Sequence, residues 1–203
     1  MSKLPNRKSI RLKNYDYSAK GRYFITIVAK DRLKLFGGIK NGEMHLNILG
    51  EIAKNEWINT LNIRNNISLG EYMIMPEHIH FVFHIDKQLK QPKETEEQRE
   101  QRSGAVKGRH IIKNHSVSTV IRGYKAAVTS QFRKTIKAEQ ERDRYALHSR
   151  LPKCASKVDL SKTIWVSRYH NIIIRDDNAY RNISQYVKDN PEKAQRALDA
   201  LST

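Results

Sequence analysis

Two histidines one residue apart, His78 and His80, have the spacing in this chain that most directly suggests chemistry. In an extended strand, side chains at i and i+2 leave the same face, so the pair can offer two imidazole nitrogens to one cation. No cysteine cluster and no helical HExxH pattern accompanies them, so a hydrolytic zinc site is not indicated. Neutral imidazoles plus one oxygen donor suit Mg or Mn, with positions left open for phosphate oxygens. A chain with 8 histidines also gives such a pair by chance, and on a solvated sheet face it binds nothing. His84 shares the face and reads as a surface residue.

A nucleophile has to be chosen among 9 tyrosines. Tyr186 is followed at i+4 by Asn190, which places the two one above the other on a helix face. A phenol there could attack phosphorus while the amide oxygen of Asn190 completes a metal shell. Tyr180 is followed at i+4 by Ser184, a poorer ligand, and reads as a packing residue. A helix tyrosine is otherwise half-buried with its hydroxyl in water, and Tyr186 taken alone fits that description.

Several elements must position these groups. Tyr23 to Ala29 reads as a strand, and Ile39 to Leu46 as a small hairpin turning at Asn41-Gly42. Asn47 can cap a helix to about Ile63, with Ile48, Ile52, Trp57 and Leu61 on its apolar side. Ser68 to Met75 is a strand broken by Pro76-Glu77. His78 to Ile85 is a strand with Ile79, Phe81, Phe83 and Ile85 on one face. Residues 86–114 are charged and poor in large apolar groups, and read as a mobile insertion. Ser116 or Ser118 opens a helix to about Lys137, carrying Val120, Tyr124, Val128 and Phe132. Residues 139–160 have no clear pattern. Ile164 to Ile174 is a strand, Asp176 or Asp177 caps a helix through about Asp189, and Pro191 starts another. This order predicts an α+β fold of the ferredoxin-like or RRM-like kind, an antiparallel sheet with helices on one face. The expected organisation is a basic arm over 1–22, a catalytic domain over 23–190 and a C-terminal helix over 191–203.

Charge narrows the partner. Lys plus Arg number 38 against 21 Asp plus Glu, a net +17 in 203 residues. Such an excess attracts a polyanion and disfavours an acidic-protein or neutral-metabolite role. Arg7, Lys8, Arg11 and Lys13 in the arm, with Arg122 and Lys125 on the helix, are the candidate phosphate contacts. A single cysteine, Cys154, excludes an intrachain disulfide and fits a reducing cytoplasm, with nucleoid association following from the charge. The mean hydropathy is −0.71, and no apolar run is long enough to span a bilayer or to follow the basic N-terminus as a secretory core.

The stretch Met75-Pro76-Glu77-His78-Ile79-His80 resembles the MPxHxH signature of single-tyrosine HUH transposases. Trp165, Arg168-Tyr169, Ile174-Arg175, Tyr186 and Asn190-Pro191 resemble their C-terminal end, in particular that of REP-associated tyrosine transposases and related small insertion-sequence transposases. Arg7 to Leu12, Tyr15-Asp16-Tyr17, Tyr23 to Ile27 and Ile121 to Lys125 are similar to that family as well. The resemblance implies that His78 and His80 bind a divalent metal and that Tyr186 is the nucleophile. It implies an amide-type third ligand at Asn190, where many relatives have the longer Gln. It also implies single-stranded DNA nicking and rejoining through a 5′-phosphotyrosine link, beside a recognised DNA hairpin, in the service of transposition. Relatives work as monomers or as homodimers. A small replication-initiator-like nickase, or a domesticated protein that binds hairpins without cutting, would share these features.

Overall fold

The computed structural model describes residues 11–12, 14–89, 115–144, 151–159 and 161–201. The candidate contacts Arg7, Lys8 and Lys13 lie outside the described residues, as does all but the first part of the expected insertion over 86–114. Along the chain come β1 (Gly21–Val28), a hairpin of β2 (Gly37–Lys40) and β3 (Glu43–Leu46), α1 (Ile48–Ile63), β4 (Ile67–Ile74) and β5 (His78–Ile85). Then follow α2 (Val117–Arg144), β6 (His170–Ile174), α3 (Asp177–Lys188) and α4 (Asn190–Ala200).

Four strands form one sheet in the order β4-β5-β1-β6, and every neighbouring pair is antiparallel. The α+β class expected from the sequence holds. Strand alternation sends Tyr23, Ile25, Ile27, Ile79, Phe81 and Phe83 to one face, where all are fully buried against α1 and α2. Trp57 of α1 stacks on Phe81 at 3.9 Å between ring centroids, and Tyr124 of α2 meets both edge-on. The Tyr124 hydroxyl donates to the carbonyl of Ala53 at 2.9 Å, satisfying its one polar group inside this core.

Helices lie on both faces of the sheet, not on one. Phe24, Val82 and Ile174 project from the second face and pack with Val187 of α3. Three apolar positions among the polar ones suffice to dock a short amphipathic helix. Other local expectations shift for similar reasons. The buried stripe of α1 is Leu49, Ala53, Trp57 and Thr60, because these share the side from which Trp57 reaches Phe81; Leu61 is 44% exposed. No Gly or Pro interrupts the run after Lys137, and α2 continues to Arg144.

The expected strand over 164–174 splits in two. Trp165 makes only an isolated bridge to Ala29, and regular pairing begins at His170. The Trp165 indole donates to the carbonyl of Lys125, and the Lys125 ammonium donates to that of Val166. These bonds tie the lead-in to α2, while the Val166 amide, donating to the Val28 carbonyl at 2.9 Å, keeps it at the end of β1.

Turn and cap chemistry agree with the sequence. Asn41 and Gly42 both take positive φ, as a two-residue hairpin turn requires. Asn47 accepts from the amides of Leu49 and Gly50, and Asp176 from that of Ala179.

Gly50, in the first turn of α1, generates a test of this packing. A helical Gly→Ala change normally stabilises by about 0.5–1 kcal/mol. Here an added Cβ would lie 2.0 Å from the carbonyl oxygen of Phe36 and 3.0 Å from a Leu46 methyl. Gly50→Ala is therefore expected to destabilise by about 1–3 kcal/mol in urea unfolding. Gly38→Ala, which meets open space, should stay within about 0.5 kcal/mol.

Candidate active site

The reversal between β4 and β5 sets the position of the histidines. The amide of Met75 donates to the carbonyl of His78 at 2.8 Å, closing a turn over Pro76 and Glu77. The carbonyl of Glu77 accepts from Ala29 at 2.8 Å, and that of Pro76 from Phe36 at 3.1 Å. His78 thus starts β5 from a turn held at both ends. The register pairs Val28 with His78, Thr26 with His80 and Phe24 with Val82 across β1 and β5.

His80 lies on the second face of the sheet and is only 4% exposed. Its ring stacks on Phe24 at 5.4 Å and meets Tyr186 edge-on at 5.5 Å. The face around His80 is not solvated, because α3 covers it. Nε2 of His78 and Nε2 of His80 are 3.1 Å apart. On their far sides, Nδ1 of His78 meets a Glu77 carboxylate oxygen at 3.2 Å and Nδ1 of His80 meets the Thr26 hydroxyl at 2.9 Å.

These partners decide the proton positions. The hydrogen bond from His78 holds the Glu77 carboxyl below its ordinary range, partly opposed by burial. An ionised Glu77 accepts the Nδ1 proton of His78 and leaves Nε2 of that ring as a lone pair. Thr26 can accept from or donate to His80, so the second ring presents either an Nε2–H or a second lone pair. In the first state the imidazoles bond to each other. In the second they present a two-nitrogen site to a cation. An octahedral ion such as Mg, with neighbouring ligands at right angles and about 2.1 Å away, would set two nitrogens about 3.0 Å apart. The donor set therefore fits one divalent ion as two adjacent ligands. Among the described residues, no three His, Cys, Asp or Glu side chains converge, and the further ligands these residues leave room for are an amide, water or substrate oxygen.

Tyr186 projects from α3, 43% exposed, edge-on to Phe24 at 6.2 Å and to His80. The Lys193 ammonium lies 5.4 Å above its ring. The Asn190 amide turns back onto its own segment, its nitrogen donating to the Tyr186 carbonyl at 3.1 Å. Tyr180 packs under the Arg22 guanidinium and edge-on to His84, a half-buried residue rather than the surface histidine expected.

The basic candidates divide. Arg122 is exposed. Arg11 donates to the Tyr169 hydroxyl at 2.6 Å and lies over the rings of Tyr17 and Tyr169. Lys125 donates to the Val166 carbonyl at 2.8 Å, and burial lowers its ammonium to about 8. Both serve packing in this arrangement. Thr26, Phe24 and Glu77 carry no site role in the sequence reading, and Lys193 figures there only as an open question of DNA contact. Glu77 sits within the quoted motif and could have been found there, whereas Thr26 and Phe24 join the site only through cross-strand register.

The second face of the sheet thus carries two neighbouring imidazoles and, edge-on to one of them, a tyrosine from the covering helix. The chain is 32% identical over 186 residues to an uncharacterised protein of Haemophilus influenzae, covering 92% of this chain and 88% of that one, and it belongs to the same family. No family model matches. Among solved structures it is similar to a REP-associated tyrosine transposase bound to a REP hairpin, with 15% identity, TM-score 0.48 and coverage of 91% of this chain and 74% of that one. It is also similar to a Deinococcus radiodurans protein assigned as a transposase, with 13% identity, TM-score 0.35 and coverage of 88% and 95%.

Burial, then the like charge of His78, depresses His80 from 6.5 to about 3, against a smaller opposing effect of Glu77. Between those values the unfolded chain binds a proton that the folded metal-free protein refuses. This contribution is complete above pH 6.5 and is lost as pH falls toward 3. Chemical denaturation in chelator should show the protein losing about 1 kcal/mol more than His80→Gln between pH 7 and about 5.5. Parallel pH dependence in the two proteins would contradict the burial of a neutral His80.

Proposed function

We propose that this protein nicks and rejoins single-stranded DNA by transesterification, with Tyr186 as nucleophile and His78 and His80 as ligands of a divalent ion, Mg or Mn. The observation that carries the reading is the convergence of the two Nε2 atoms at 3.1 Å, with the Tyr186 ring edge-on to His80 at 5.5 Å between centroids. The resemblance of the motifs to single-tyrosine HUH transposases supports it, and so does the net charge of +17. A bound divalent ion would offset charge developing on the non-bridging phosphate oxygens.

The chain's own residues supply the rest. Glu77 and Thr26 orient the two imidazoles and keep Nε2 of each directed inward. Phe24 and the packed face of α3 exclude water from the His80 side. The Lys193 ammonium, 5.4 Å from the Tyr186 ring centre, sets a positive charge beside the nucleophile. Attack by the phenolate oxygen on phosphorus makes a 5′-phosphotyrosine and frees a 3′-hydroxyl. The phosphodiester energy is conserved, and reversal rejoins the strand. Asn190, with its amide held by Tyr186, would reach the ion through a water or after a side-chain turn. DNA-hairpin recognition in transposition is the biological setting. The exposed Arg122, with Arg7, Lys8 and Lys13, would provide phosphate contacts that give affinity and salt dependence but little sequence reading.

The test is an SDS-resistant protein–DNA adduct formed from hairpin-bearing single-stranded DNA with Mn or Mg. Tyr186→Phe should abolish the adduct, and Tyr180→Phe should retain it. Changing His78 and His80 together to Ala should remove the adduct while leaving hairpin affinity within a few-fold. An adduct that survives Tyr186→Phe overturns the choice of nucleophile.

A further inference from the structure

His170 opens β6, and its register partner on β1 is Thr26, which on its other side pairs with His80. Directly opposed residues of antiparallel strands share a face. His80, Thr26 and His170 therefore form one row across the second face of the sheet. The outer members differ in environment, because His80 is buried under Tyr186 and His170 is exposed. Ile172, the next residue of β6 on that face, is 41% exposed, so the β6 side of the row is uncovered. His170 is close enough to act electrostatically on His80.

The row has a direction. Tyr186 approaches from the side of α3, over His80 and Phe24, and His170 stands beyond Thr26 on the open side. Displacement at phosphorus is in line, so the leaving oxygen departs opposite the attacking one. A phosphate held over the row, with Tyr186 on one side, has its leaving group directed toward β6.

We propose that His170 is the general acid that protonates the departing 3′-oxygen. The inference rests on the reaction proposed above. The Tyr186 oxygen forms its bond to phosphorus as the bond from phosphorus to the 3′-oxygen breaks. The electron pair of that bond stays on the 3′-oxygen, which takes the imidazolium proton of His170. The phenol proton passes to solvent. In rejoining, the neutral His170 takes the proton back from the attacking 3′-hydroxyl, so one residue serves both directions. No group of the histidine pair can do this while both Nε2 atoms are engaged as ligands.

A leaving group that needs no proton isolates this role. Single-turnover adduct formation is measured on a hairpin-bearing strand with the ordinary 3′-oxygen at the scissile bond, and on the same strand with sulfur in its place. A thiolate leaves unaided because thiols ionise near pH 8.5, at about the value of a cysteine side chain. His170→Ala is expected to slow the oxygen substrate about 100-fold or more, the usual scale of general acid catalysis, and the sulfur substrate by no more than a few-fold. Tyr186→Phe should give no adduct with either. Equal slowing of both substrates by His170→Ala would make His170 a strand or phosphate contact and overturn the inference. Unchanged rates on both would overturn it too. If the unaltered protein forms no adduct with either substrate, the nicking reaction itself fails, and this inference with it.

Discussion

Alternation along β5 sends Ile79, Phe81 and Phe83 to the main core and His78, His80 and Val82 to the opposite face, and this second face must be apolar enough to dock α3. The candidate site depends on that compromise. Phe24, Val82 and Ile174 anchor the helix through Val187, and the same contact carries the Tyr186 ring over His80. A face polar throughout would leave the histidines hydrated and the tyrosine unplaced. A face apolar throughout would bury the helix and leave no opening for a substrate. The observed face is closed over His80 and open at His170.

Burial also does chemical work at the pair. A desolvated His80 resists protonation, so it stays in the form that can ligate a cation. The carboxylate of Glu77 does the converse for the more accessible His78, fixing its proton on the far nitrogen. Exclusion from water therefore keeps one imidazole neutral, and a charged partner fixes the proton of the other. The net positive charge of the chain acts on a longer scale, favouring the approach of polyanions in general.

Elements with local signals were legible in the sequence. Asn47 and Asp176 mark helix starts through their own side chains, Pro76 marks the break before β5, and the two-residue period marks both faces of that strand. What lies between elements was not. The face that α1 buries depends on where Trp57 meets Phe81, and the split of the segment before β6 depends on a Trp165–Lys125 bond across 40 positions. Thr26 and His170 are ordinary residues until the register of three strands puts them in one row with His80. The histidines and Tyr186 stood out by type and spacing, and the residues that orient them did not.

The most direct measurement of the central claim is the identity of the residue that becomes joined to DNA. Adduct formed with Mn can be digested with nuclease and protease and the peptides resolved by mass spectrometry. The expected product is a single nucleotide phosphate carried by the peptide containing Tyr186, linked through the tyrosine oxygen. A nucleotide on Tyr180 or any other residue, or no modified peptide under conditions where the DNA is cut, would contradict it.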